Sequence, residues 1–127
     1  MSEHTMFALL AQYNASMNDK LYAAAARLSP GELAQQRGAF FGSLIGTMNH
    51  IVAADTIWLQ RFARHPADFA AVQPVLAMPA PSGLSATFSD DLALLRAQRS
   101  RLDAIIIDLI AAVTHDDLAQ ALPYQNI

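Results

Sequence analysis

The chain contains no cysteine, which removes disulfides, thiolate nucleophiles and cysteine-based zinc sites. It also lacks an apolar run long enough to span a bilayer, since Arg, Asp, Gln and Asn interrupt each candidate. The first residues, MSEHTM, have neither the basic region nor the apolar core of a signal peptide. These absences lead to the expectation of a cytoplasmic protein with no membrane partner. Charge is sparse: 15% of residues are Asp, Glu, Lys or Arg, and the formal net charge is −3. A nucleic-acid surface is ordinarily basic. Here the basic residues are dispersed apart from Arg96, Arg99 and Arg101, which read as a solvated helix face, so no nucleic-acid partner is expected. The motifs of common chemistries are missing as well: there is no GxSxG, no Walker or GxGxxG loop, no HExxH and no HxxxH. Asp103 and Asp108 are the carboxylates well inside the last long helical pattern. Five residues apart, they share no helix face and form no acid–base pair.

What the chain has in abundance is apolar side chains, 54% of 127 residues. The length fits one domain, 1–127. So apolar a composition implies either a large core or an apolar face offered to a partner. Three long segments carry helical periodicity. The first runs from about Thr5 to Leu28, with Phe7, Leu10, Tyr13 or Asn14, Met17, Leu21 and Ala24 or Ala25 as its expected inward stripe. Asn14 and Asn18, one turn apart, are either an exposed polar pair or a pair pointing toward a pocket around His50. Ser29-Pro30-Gly31-Glu32 has the form of a capping box that opens a short helix ending near Arg37-Gly38. The second long helix lies within Phe40 to Phe62. Ser43 is its expected N-cap, and Gly46 marks a close backbone approach. Residues 63–85 hold Pro66, Pro74, Pro79, Pro81 and Gly83, which exclude a long helix. The third long helix runs from about Ala86 or Ser89 to Val113. Thr114 to Asp117 opens a short helix ending by Pro123.

The second helix is apolar nearly all round, the mark of a central helix, and carries His50 on a face with Thr47, Ala54 and Ile57. On residues alone His50 has two readings. One is a core histidine satisfied by a carbonyl or hydroxyl; the other is a neutral imidazole metal ligand. His65 reads as a loop histidine and His115, at a helix start, as structural or solvated.

Several spaced polar positions agree with one family. Ser43, Thr47, His50 and Trp58 resemble the second-helix pattern of the DinB-like (DinB/YfiT) metal-binding bundles. Tyr13, Asn14 and Asn18 within YNASMNDKLY resemble that family's first-helix signature, and LSPGEL at Leu28 to Leu33 resembles the link between the two helices. The resemblance implies an all-α bundle with three long helices in up-down order. It also implies a divalent metal, nickel or zinc, with His50 as a ligand, and a homodimer. Its chemistry would be a metal-dependent transfer, in some relatives with low-molecular-weight thiols, or hydrolysis of a small-molecule substrate. One departure matters. The family's other two ligands form an HxxxH pair on a fourth helix, and the chain reaches Asn126-Ile127 with no such pair. The expectation is therefore a C-terminally incomplete bundle whose fourth position is vacant or supplied in trans, with weak or absent metal binding. The alternative is a non-catalytic helical domain that dimerises through its open apolar groove.

Overall fold

Side-chain caps set the helix starts in the computed structural model, which describes residues 1–126. Ser2 accepts from the Thr5 amide and opens α1, Glu3–Ala25. Ser29 and Glu32 exchange the reciprocal bonds of a capping box and open the short α2, Pro30–Ala34. Ser43 accepts from the Gly46 amide and opens α3, Leu44–Phe62. A proline-containing 3₁₀ segment, Ala70–Ala77, follows. Asp91 caps α4, Leu92–Ala112, and Thr114 with Asp117 caps the single turn α5, His115–Leu118. Each cap satisfies amides that have no partner inside the helix. Among the described residues there is no strand, only an isolated bridge between Ala39 and Gly42. Among the described residues no helix is long and apolar enough to cross a membrane. The all-α bundle expected from the sequence is the architecture that forms.

The direction of the helices follows from their side-chain links. His4 reaches the Ile110 carbonyl and Asp19 pairs with Arg96, so α1 is antiparallel to α4. Asn49 meets Ser89, Asp55 meets Arg99 and His65 meets Asp117, so α3 and α4 run side by side in the same direction. The alternating order expected for three long helices is thus not kept between α3 and α4. The physical reason is the crossover of residues 63–91. It carries the chain back along α3, a helix about 28 Å long at 1.5 Å per residue, before α4 begins.

The central helix is α4, not α3. It carries the main packing of α1, of α3 and of the 3₁₀ segment, while α1 and α3 make little contact with each other. Leu95, Leu102, Ile105 and Leu109 of α4 pack with Ile45, Met48, Val52 and Leu59 of α3 and with Tyr22 and Ala25 of α1. Val72 and Val75 close this core from the crossover. The face that α1 buries keeps Ala25 of the expected stripe and half-buries Phe7 and Asn14, but is otherwise one residue away from it. Ala11, Tyr22 and Ala25 are buried, whereas Met6, Leu10, Tyr13, Met17 and Leu21 are exposed, Tyr13 to 63%. On α3, Leu44, Ile51 and Trp58 are likewise exposed.

Candidate functional site

His50 is half-buried on α3. Its Nδ1 lies 2.7 Å from the Leu84 carbonyl oxygen. A carbonyl only accepts, so Nδ1 carries the proton and, in the neutral ring, Nε2 keeps its lone pair. This is the tautomer-fixing bond that orients histidine ligands in metal sites. The ring stacks on Phe41, with centroids 3.7 Å apart and planes 14° from parallel. Phe41 is held there by a tight turn. Gly42 takes φ +82°, a left-handed conformation that a side chain disfavours, and its amide donates to the Ala39 carbonyl. Gly46 makes the approach possible from the helix side, because a Cβ there would lie 2.3 Å from the Phe41 carbonyl oxygen. Neither Phe41 nor Leu84 was marked by sequence. A stacking partner and a loop carbonyl leave no periodic signal.

The second organiser is Asn49, one residue before His50 on α3. It is buried, donates to the Ile45 and Ser89 carbonyls, and accepts from the Phe88 and Ser89 amides. One amide thereby ties the end of the crossover to α3 and keeps Leu84 above His50.

The remaining histidines are dispersed. His4 bonds the Ile110 carbonyl at 2.7 Å. His65 accepts the Ala67 amide on Nδ1 and donates from Nε2 to the Asp117 carbonyl at 3.2 Å, and its ring stacks on Phe69. His115 has a side chain 86% exposed, with Glu3 at 3.6 Å. Among the described residues no group of three or more His, Cys, Asp or Glu is placed to hold a metal ion. His50 fits one imidazole ligand of a divalent cation; the described residues do not fit a complete metal centre.

Asn14 and Asn18 do bond across the bundle, but to Asp103 and not toward His50. Asn14 Nδ2 donates to Asp103 Oδ1 at 3.2 Å, and Asn18 Nδ2 reaches both carboxylate oxygens at 3.1 Å. Arg99, expected on a solvated face, is 2% exposed. Its Nε donates to Asp103 Oδ1 at 3.0 Å, and its Nη2 lies 2.8 Å from Asp103 Oδ1 and 2.7 Å from Asp55 Oδ2. The Nη2 contacts are charge pairs, and Nη1 is buried without a partner. The Tyr22 hydroxyl is also buried and unpartnered. Burial pushes its pKa up to about 12, with Arg99 pulling it down and Asp103 adding to the rise. This network links all three long helices. Arg99 and Asp103 are buried, and their bonds hold the three helices in position. The signal that finds it in the sequence is Arg99 and Asp103, opposite charges four apart among apolar α4 positions.

The model of the DinB family matches residues 1–121. No curated protein and no solved structure matches the chain.

Proposed function

The chain belongs to the DinB family, and from that premise we propose that it is a single helical metal-binding domain in which His50 supplies one ligand of a divalent cation, nickel or zinc. The observation that carries this reading is the Nδ1 bond to Leu84, which leaves Nε2 as a lone-pair donor with no protein partner among the described residues. The remaining ligands come from outside those residues, from a second subunit or from further chain. The corresponding chemistry is transfer or hydrolysis on a small molecule, with a low-molecular-weight thiol in the transferase case, in the cytoplasm. Family membership supports that reaction class; no residue of the described chain adds to it.

Calorimetric titration with nickel and with zinc tests the reading, comparing the natural chain with His50→Ala. Weak binding that the substitution removes is the expected result. Equal binding by both proteins overturns His50 as a ligand. Tight one-to-one binding lost in His50→Ala supports His50 and places the other ligands in a second copy.

The exposed apolar seams on α1 and α3 favour a second reading, a non-catalytic domain that dimerises through them. Monomers seldom expose contiguous apolar patches above a few hundred Å². An intact dimer with no His50-dependent metal binding is the outcome that selects it.

A further inference from the structure

On another side of α3, the crossover and α4 enclose an open-mouthed cavity of about 690 Å³. Thr47, His50, Ala54 and Ile57 do not line it, so it is separate from the His50 face. Val52, Ala53 and Thr56 form its α3 wall, Gln98 and Arg101 its α4 wall, and the proline-stiffened chain around Met78 and Phe88 its rim. This volume falls in the range of about 300–1,000 Å³ typical of small-molecule sites, which are mostly apolar with a few convergent polar groups.

The polar groups here have unspent capacity. Arg101 pairs with no carboxylate among the described residues, unlike its neighbours Arg96 and Arg99. The Gln98 amide donates to the Met78 sulfur at 3.3 Å, a weak acceptor that a ligand oxygen displaces readily. Three residues apart on α4, Gln98 and Arg101 lie on one side of the helix. The Thr56 hydroxyl donates to the Val52 carbonyl and keeps its lone pairs.

We infer that this cavity binds a small monocarboxylate with an apolar body, an aryl- or alkyl-carboxylic acid. Arg101 meets the carboxylate, Gln98 adds a second donor, and Val52, Ala53 and Phe88 receive the body. The single cation sets the class: it repels amines, and one guanidinium is a poor match for a multiply charged phosphate ester. The inference is independent of any metal at His50.

The test is a titration of ¹⁵N-labelled protein with 4-phenylbutyrate and with its neutral amide, 4-phenylbutanamide, followed by backbone amide shifts. Saturable shifts are expected in residues 52–56, 78–88 and 98–101, with the acid binding about two- to fivefold tighter than the amide, as an exposed charge contact provides. Arg101→Gln, a change at an exposed position, should erase that difference and leave amide binding in place. Absence of saturable binding, equal affinity for acid and amide in the natural protein, or shifts confined to α1 would each overturn the inference.

Discussion

At the residue scale, Arg99 neutralises two carboxylates on two helices while itself shut away from water. Arg99→Ala would leave the buried Asp103 facing only two amides and Asp55 without its cation. Breaking a buried pair from one side costs about 3–5 kcal/mol, and the urea midpoint should fall accordingly. Tyr22, beside it, behaves in the opposite way. Its hydroxyl has no partner, so Tyr22→Phe should leave stability at pH 7 unchanged or raise it by up to about 1 kcal/mol. The effect of pH also differs between the two proteins. The unfolded phenol ionises near its ordinary value of 10 and the folded one near 12. Above pH 10 the unfolded state therefore binds fewer protons than the folded state, and stability declines from there through pH 12. Thermal melts across that interval should show a steeper decline for the natural chain than for Tyr22→Phe.

At the scale of elements, three helix starts were legible because Ser29, Ser43 and Thr114 announce themselves by residue type and spacing, whereas α4 begins at Leu92 behind the Asp91 cap and not at Ala86 or Ser89. Two glycines test how these starts are built. Gly46→Ala would drive a methyl into the Phe41 carbonyl at 2.3 Å. It should cost about 1–3 kcal/mol as overpacking does and shift the His50 ring resonances through Phe41. Gly31→Ala meets only Ser29 Oγ at 3.9 Å. With no clash and better helix propensity, it should be neutral or stabilising by up to about 1 kcal/mol, which chemical denaturation resolves. The buried face of α1 was less legible. Leu10, Tyr13, Met17 and Leu21 form the more hydrophobic stripe, yet packing follows the smaller and more polar one beside it. Alanines allow close approach to α4, and Asn14 and Asn18 become tolerable there only because Asp103 waits opposite. Hydropathy cannot register a cross-helix acceptor. For the same reason His50 was found from its position in α3, while Phe41, Leu84 and Asn49, which hold it, were not.

At the scale of the molecule, two apolar seams remain open on helices that barely touch each other. Burying a large side chain is worth about 1.5–3 kcal/mol, so covering Leu10, Tyr13, Met17 and Leu21 provides ample drive for a two-fold dimer. Sedimentation at micromolar concentration should give a dimer, and Tyr13→Glu with Met17→Glu should give a monomer that is still helical by circular dichroism. A monomeric natural chain with no dye-binding surface would refute that assembly.

The placement of α4 as the common support has a consequence for synthesis. The ribosome delivers α1 and α3 first, and the helix that both require comes last. With elongation at about 5–20 residues per second, α1 waits on the order of 5–20 s for Ala112 to emerge. During that interval its apolar faces have no native partner in their own chain. The nascent protein is therefore a stronger client for chaperones than its small size and helical content suggest.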